Sequence, residues 1–261
     1  MARILITGSS DGLGLRAAKL LVARGHTVHL HARNAQRAAD ARTACPGAAS
    51  VLVGDLASLP ETRALASSIA ALGELDCVFH NAGLYLGPYR AQAEGYPSVF
   101  AVNVLAPYIL TCLAPLPKRL LYASSNSHFN GSAGLEDLGW REREGEGRFS
   151  DRGVYADTKL HNVMFAYAFA RRFAGRGVVA NAVDPGWVPT KMGGARAPGD
   201  ILESDRLYVM LAEGSGEAEG SNAGYWEPGG LGRSREETYD VQAQDALLKR
   251  LEEITGVAVP E

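Results

Sequence analysis

The sequence predicts an α/β fold in which one domain holds a doubly wound parallel sheet of about seven strands, with helices on both faces. Apolar, β-rich runs alternate with alanine- and leucine-rich stretches along the chain, an order typical of parallel βαβ units. The runs at 4–6 (Ile-Leu-Ile) and 51–53 (Val-Leu-Val) are continuously apolar, as expected when helices cover both faces of a sheet. With 261 residues, 46% of them hydrophobic, the chain can bury one sizeable core. We therefore expect residues 1–261 to form a single domain.

Each predicted strand is a short apolar run followed by polar or glycine-containing turn residues, and each predicted helix is a longer stretch rich in alanine, leucine and charge. The strands fall near 2–7, 27–32, 50–54, 75–80, 119–124 and 178–184, with a short seventh strand near 224–226. The helices fall near 12–24, 34–43, 60–72, 94–113, 153–174, 201–213 and 235–254.

Two regions break this alternation. Residues 126–153 are rich in glycine, serine and charge, and the region 190–234 contains Gly-, Pro- and Ser-rich stretches at 191–200 and 213–234. Long loops in an otherwise compact domain tend to be functional. We expect 126–153 to be an insertion beside the active site, with its charged part a solvated face, and 190–234 to be a substrate-loop region.

Composition argues against several classes of protein. A net charge of −3 and a pI near 6.1 provide no general attraction for nucleic acid or anionic lipid. Three widely spaced cysteines (Cys45, Cys77 and Cys112) indicate reduced core residues rather than disulfides or a metal site. The chain opens directly into a strand-like run, and no apolar run approaches the ~18 residues of a membrane span. The sequence thus predicts a cytoplasmic protein that binds no nucleic acid, membrane or metal.

A glycine-rich turn follows the first predicted strand and opens the first helix. It reads Thr-Gly-Ser-Ser-Asp-Gly-Leu-Gly over 7–14. Glycines there allow a tight turn and let backbone N–H groups approach a pyrophosphate closely. An ordinary turn is the alternative, but the position after strand one favours a Rossmann-type dinucleotide site. The candidate cofactor-binding residues in it are Gly8, Ser10, Asp11, Gly12 and Leu13.

The end of the second strand distinguishes NAD(H) from NADP(H). A carboxylate about 20 residues after the glycine turn would bind the ribose hydroxyls of NAD, but the segment 27–34 contains none. Arg33 instead offers a guanidinium suited to a 2′-phosphate. Against this, Asp11 places a negative charge in the phosphate loop, and Arg33 as a solvated residue is the alternative. The sequence favours NADP(H) over NAD(H).

Three further segments follow later strands, where ligands bind in open α/β sheets. Asp55 and Leu56 are placed to meet the adenine, although an aspartate there is also a normal helix cap. Small residues after strand four would let the backbone lie against the cofactor, and the segment after strand six would cradle the nicotinamide carboxamide. These candidates are Asn81, Ala82, Gly83, Pro185, Gly186, Val188 and Thr190.

Tyr155 and Lys159 stand one helical turn apart, so the ammonium is expected on the same face of the helix as the phenol. The pKa of a phenol is ordinarily about 10, and a nearby cation lowers it. Bringing it to roughly 7 would need about 4 kcal/mol of stabilisation, to which a bound nicotinamide would also contribute. Such a tyrosine is suited to act as general acid or base.

These motifs, in this order, resemble the short-chain dehydrogenase/reductase family in its classical branch, over essentially the whole chain. The matching set is the glycine turn, the Asn-Ala-Gly segment, Asn103, the pair Ser124-Ser125, Tyr155 with Lys159, and the Pro-Gly segment at 185–186. The resemblance implies a catalytic tetrad of Asn103, Ser125, Tyr155 and Lys159. It implies that Ser125, with Ser124 the lesser candidate, orients the substrate, that Lys159 holds the nicotinamide ribose, and that Asn103 secures a water that relays protons.

One departure from the usual family pattern indicates particular groups within the family. Ser125 and Tyr155 lie 30 residues apart, farther than is usual in the family. The insertion and the segment 211–237 resemble the retinol-dehydrogenase-like and carbonyl-reductase-like groups. Because such insertions lie near the surface used for tetramer formation in some relatives, the resemblance leaves open whether the chain is a monomer or a homo-oligomer.

Side chains that follow the catalytic segments suggest an apolar or aromatic substrate. Ser127, His128 and Trp187 are the substrate candidates, and His128 is a possible second proton donor. Further candidates for the lining, each with a core position as the alternative, are Tyr85, Phe129, Met192, Tyr208 and Met210.

The sequence hypothesis is an NADP(H)-dependent oxidoreductase that interconverts a ketone or aldehyde and an alcohol, with Tyr155 as general acid or base. A nicotinamide-binding regulatory or scaffold protein without turnover is the alternative from another class. A dehydration or epimerisation with tightly held cofactor is the alternative within the same fold.

Overall fold

Eight strands form one sheet in the computed structural model, which describes residues 1–85 and 95–261. The strands are β1 Arg3–Ile6, β2 Thr27–Ala32, β3 Ser50–Val53, β4 Cys77–His80, β5 Arg119–Ala123, β6 Val179–Val183, β7 Tyr225–Glu227 and β8 Gly230–Gly232. Their order is β3-β2-β1-β4-β5-β6-β7-β8, and the first seven are parallel. The chain reverses its direction of winding between β1 and β4, as in a Rossmann fold, where ligands bind at the carboxyl ends of the strands.

The eighth strand differs from the predicted seven. β8 pairs antiparallel with β7, with Glu227 opposite Gly230. Its sequence is Gly-Leu-Gly, which offers neither an apolar run nor an alternating pattern. The hydrophobic pattern therefore contained no signal for this strand.

The helices lie on both faces of the sheet, and all except α6, which was not predicted, lie within a few residues of the predicted ranges. They are α1 Gly12–Ala23, α2 Ala35–Ala44, α3 Leu59–Ala70, α4 Ser98–Phe100, α5 Ala106–Leu113, α6 Arg141–Gly145, α7 Asp151–Arg172, α8 Ile201–Glu213 and α9 Val241–Thr255. The helix predicted over 94–113 is interrupted by a π turn at Ala101–Leu105, and its predicted first residue, Glu94, lies outside the described residues. A short 3₁₀ turn at Glu236–Tyr239 precedes α9.

Two apolar layers sandwich the sheet, because alternate side chains of each strand point to opposite faces. In β1, Leu5 packs in one layer with α3, α5, α7 and α9, whereas Ile4 and Ile6 pack in the other with α1, α2 and α8. Helix α7 is buried along nearly its whole length, from Val154 to Ala170. Polar side chains on α7 are therefore carried into the interior.

The insertion before α7 is packed rather than open loop. It contains a 3₁₀ turn at Asn126–Asn130 and helix α6. Asp157 of α7 accepts hydrogen bonds from Ser132 N (2.7 Å) and Trp140 Nε1 (2.8 Å). Arg143 pairs with Asp137 at 2.9 Å and lies 3.7 Å from the centre of the Trp140 ring. The prediction of a merely solvated charged face is wrong for this pair, because Arg143 also pairs with Asp157 of α7 at 3.5 Å.

Within 1–85 and 95–261, no helix is both long enough and apolar enough to span a bilayer.

Candidate active site

A cleft of about 800 Å³ opens at the carboxyl ends of the central parallel strands. Its described lining includes most of the residues predicted to bind cofactor: Gly8, Ser10, Asp11, Gly12, Leu13, Arg33, Asp55, Leu56, Asn81, Ala82, Gly83, Tyr155, Lys159, Pro185 and Thr190. Two predicted residues are absent from that lining. Val188 is buried, and Gly186 instead donates its N–H to Asp184 at 2.8 Å. The structure thus brings segments from five strand ends around one elongated cleft.

The glycine turn is held against the segment after β4. Thr7 accepts a hydrogen bond from Ala82 N at 3.0 Å, and Asn81 donates to Thr7 O at 2.8 Å. Gly8 has a φ of +62°, and a Cβ on it would lie 2.7 Å from Ala82 Cα. A side chain at Gly14 would lie 2.4 Å from Asn81 Nδ2. Glycine is therefore required at both positions, because the two loops approach each other with no space for a Cβ.

His31, at the end of β2, supports the floor of the cleft and was not predicted. Its Nδ1 accepts from Gly8 N at 3.0 Å, and its Nε2 donates to Gly54 O at 2.9 Å. Burial lowers the pKa of His31, which favours the neutral ring that this pairing needs. His31 joins the glycine turn to the end of β3. A histidine one position before the end of a buried strand was the only sequence signal.

Four charged side chains gather where a cofactor's adenosine phosphate would lie. Arg33 and Arg37 line the cleft from the end of β2 and from α2. Asp11 caps α1, pairs with Arg37 at 3.3 Å, and also pairs with Lys191. The hydrogen bond from Lys191 is the main reason that the pKa of Asp11 is lowered. The negative charge of Asp11 is thus compensated by two cations, Arg37 and Lys191, that sequence reasoning did not single out.

Tyr155 and Lys159 both reach the cleft from the buried helix α7, with exposed fractions of 9% and 4%. Lys159 Nζ donates to Ala123 O at 2.8 Å and lies 5.3 Å from the centre of the Tyr155 ring. Burial raises the pKa of Tyr155 to about 12 and lowers that of Lys159 to about 8. The pKa of the phenol is thus raised rather than lowered, because burial dominates and the charge of Asp184 adds to it.

Ser125 is the serine that meets the phenol. A hydrogen bond between the Ser125 and Tyr155 side chains favours the phenolate. Ser125 Oγ also accepts from Ser127 N at 3.2 Å. Ser124 is directed elsewhere: its hydroxyl donates to Lys159 O at 2.8 Å. The described lining of the cleft includes Ser124 and not Ser125, so the preference for Ser125 rests on its contact with the phenol and stays a prediction.

Asn103 lies in the π turn, and its amide is fully engaged. It exchanges two hydrogen bonds with the backbone of Leu84, at 2.8 and 2.9 Å, and donates to Thr158 Oγ1 at 3.0 Å. The backbone carbonyl of Asn103 accepts a hydrogen bond from Asn162 Nδ2 at 2.7 Å. Asn103 therefore fixes the segment after β4 against α7, and its role in a proton relay stays a prediction.

The three residues predicted to contact substrate do not lie together in the structure. Ser127 is half-buried beside Ser125, whereas the Trp187 side chain is 62% exposed and donates to Gly193 O. His128 is fully buried and does not line the cleft, so the structure places it as a packing residue rather than a substrate contact. Among the others, Met192 and Tyr208 line the cleft and Tyr85 packs edge-on against Tyr155. Phe129 is exposed and Met210 packs in the core.

Comparison with known proteins agrees with the fold and the cleft. A family model described as short chain dehydrogenase matches residues 2–123. The chain is 45% identical over 260 residues to the short-chain dehydrogenase chyC of Penicillium rubens, with all of both chains covered. Human retinol dehydrogenase 13 is more distant, at 30% identity over 73% of this chain and 60% of that protein. The crystal structure of an uncharacterized Mycobacterium paratuberculosis protein shares the fold at 26% identity, with a TM-score of 0.79 over 100% of this chain and 96% of that one.

A parallel sheet with a cleft at its switch point is typical of the class of nucleotide-binding α/β proteins. Within that class, the chain belongs to the short-chain dehydrogenase family.

Proposed function

We propose that the protein is an NADP(H)-dependent oxidoreductase, a single domain that interconverts a ketone or aldehyde and the corresponding alcohol. The observation that carries this proposal is that Tyr155 and Lys159 line the cleft together, with the Ser125 hydroxyl beside the Tyr155 phenol. A hydroxyl, a phenol and an ammonium at this position are suited to hold a carbonyl oxygen and to protonate it.

The bound nicotinamide supplies or accepts the hydride, and the residues of the chain manage the oxygen and its proton. Ser125 donates a hydrogen bond to the substrate oxygen and orients the carbonyl. Tyr155, whose raised pKa keeps the phenol protonated, transfers its proton to that oxygen as negative charge develops there. Lys159 then stabilises the resulting phenolate by its charge. In alcohol oxidation the same phenolate accepts the proton.

The basic side chains beside the glycine turn support NADP(H). Arg33 is exposed and lines the cleft, and among residues 1–85 and 95–261 it forms no ion pair with a carboxylate that would compete with a phosphate. Arg37 lies one helical turn further on, held towards the cleft by Asp11. Together they provide two guanidinium groups for a 2′-phosphate.

Arg33→Ala and Arg37→Ala are each expected to weaken NADPH binding about tenfold, since each removes a charge-assisted hydrogen bond. Binding of NADH should change little, because NADH lacks the 2′-phosphate. Fluorescence titration of purified variants with both cofactors measures the two constants. Arg42→Ala, on α2 but outside the described lining of the cleft, is the matched control. A wild-type protein that binds NADH more tightly than NADPH would overturn the cofactor proposal.

Apolar side chains at the cleft support an apolar or aromatic substrate, because Met192 and Tyr208 line the cleft and Tyr85 packs edge-on against Tyr155. A panel of aromatic ketones, aliphatic aldehydes and sugars, followed by consumption of NADPH, tests both the activity and this preference. We expect turnover of the apolar carbonyl compounds and little or none of the sugars. Saturable NADPH binding with no turnover across the panel would instead favour a nicotinamide-binding regulatory protein.

A further inference from the structure

We infer that His128 is a positioning residue for Ser125, and that it holds this serine in place by connecting it to the carboxyl-terminal part of the chain. The inference rests on the proposed function, in which Ser125 orients the substrate. His128 Nδ1 lies 2.8 Å from Ser125 O, and Arg235 N donates to His128 Nε2 at 3.1 Å. One imidazole ring thus bridges the backbone at residues 125 and 235, which are 110 positions apart in the sequence.

The two contacts define the state of the ring. A backbone N–H can only donate, so Nε2 must accept and carry no proton. Nδ1 then carries the proton and donates to the Ser125 carbonyl. Burial lowers the pKa of His128 and so favours this neutral ring. Both ring nitrogens are therefore satisfied inside the protein.

Packing and further hydrogen bonds restrict the same loop. The ring centre of His128 lies 4.0 Å from that of Phe129 and 4.8 Å from that of Tyr225. The guanidinium of Arg235 donates to Phe129 O at 3.5 Å and to Gly131 O. The segment from 125 to 131 is therefore held at three carbonyl groups.

The same cluster reaches the loop after β6. Tyr225, which packs on His128, donates its hydroxyl to Asp184 at 3.2 Å. The other carboxylate oxygen of Asp184 accepts from Gly186 N. His128 thus belongs to a buried group that links the serine loop to the predicted nicotinamide loop.

Catalytic groups need to be held within about 0.5 Å of their working position, and the residues behind them set that precision. Holding the Ser125 carbonyl restrains the peptide plane that follows Ser125, and so the placement of its side chain beside Tyr155. Loss of the His128 contact should therefore impair the orientation of the substrate rather than the binding of cofactor.

Three variants separate the two halves of the bridge. His128→Phe keeps an aromatic ring but removes both contacts. His128→Asn retains a donor near Nδ1 for Ser125 O, and His128→Gln retains an acceptor near Nε2 for Arg235 N. We expect His128→Phe to lower kcat about tenfold, which corresponds to about 1.4 kcal/mol, with the Kd for NADPH unchanged. His128→Asn should recover most of that loss, and His128→Gln should recover less.

A double-mutant cycle with Ser125→Ala decides whether His128 acts through the serine. If it does, His128→Phe should lower kcat in the wild-type background but add no further loss to Ser125→Ala. An equal loss in both backgrounds, or an Asn variant no better than the Phe variant, would overturn the inference. If His128→Phe does not fold, the Asn and Gln variants carry the same cycle. Failure of the proposed function is distinguishable, because wild-type protein would then show no turnover or Ser125→Ala would leave kcat unchanged.

Discussion

Tyr155→Phe is expected to lower kcat for carbonyl reduction by roughly 10²- to 10⁴-fold, the usual contribution of a positioned general acid. The substitution removes one oxygen and keeps the ring, whose edge-on contact with Tyr85 is retained. Because the raised pKa keeps the phenol protonated, this hydroxyl is the proton source in the proposed mechanism. Single-turnover oxidation of bound NADPH measures the chemical step directly.

Cofactor binding separates this expectation from a general structural defect. The Kd for NADPH should remain close to that of the wild type, since the glycine turn and the basic side chains are untouched. Tyr96→Phe removes a phenolic oxygen from a ring that packs on Phe100, outside the described lining of the cleft, and should leave kcat unchanged. A Tyr155→Phe variant that retains full turnover would remove Tyr155 from the proposed mechanism.

Asp157→Ala is expected to lower the free energy of unfolding by about 3 kcal/mol. The carboxylate is buried and accepts from Ser132 N, Trp140 Nε1 and, at 3.5 Å, Arg143. Its removal leaves Ser132 N and Trp140 Nε1 without that acceptor in the protein interior, whereas Arg143 keeps its pairing with Asp137. Urea denaturation followed by tryptophan fluorescence and by circular dichroism measures the loss, and the indole of Trp140 reports on the insertion itself.

Two further variants identify the cause of that loss. Burial raises the pKa of Asp157, so negative charge is not what the site favours, and Asp157→Asn should cost less than Asp157→Ala. Asp245 bonds Arg171 and Arg172 on the surface, and Asp245→Ala should cost below about 1 kcal/mol. If Asp157→Ala unfolds at the same urea concentration as the wild type, the insertion is not held in the way that its contacts indicate.

Much of the fold was predictable because the strands and helices that position the cleft are strongly patterned. The run at 4–6 could only be a strand covered on both faces, and the structure buries all of it. The glycines at 8 and 14 were predicted to allow a tight turn, and the structure adds that they leave room for the segment after β4. Tyr155 and Lys159 were placed on one helix by their spacing alone.

The remainder depends on contacts between distant parts of the chain, which no local pattern records. His31 and Lys191 are ordinary residues in the sequence, and only the approach of Gly8 and Asp11 shows what they bind. The pKa of Tyr155 is raised because the packing of α7 removes solvent from the phenol. The spacing of Tyr155 and Lys159 along the sequence does not show this burial. His128 was expected near the substrate because it follows the serine. In the structure its ring lies in the core, where it packs on Tyr225 and accepts a hydrogen bond from Arg235 N.

The short ribbon formed by β7 and β8 has a consequence for behaviour in concentrated solution. An exposed sheet edge offers unpaired backbone groups on which a second extended chain can add and from which aggregates can grow. Here the chain folds back on itself at Glu227 and Gly230, so the edge of β7 is already occupied. The outermost strand is then only three residues long, two of them glycine, and offers a poor template for further growth. Strand β8 thus protects this edge of the sheet from pairing with another chain.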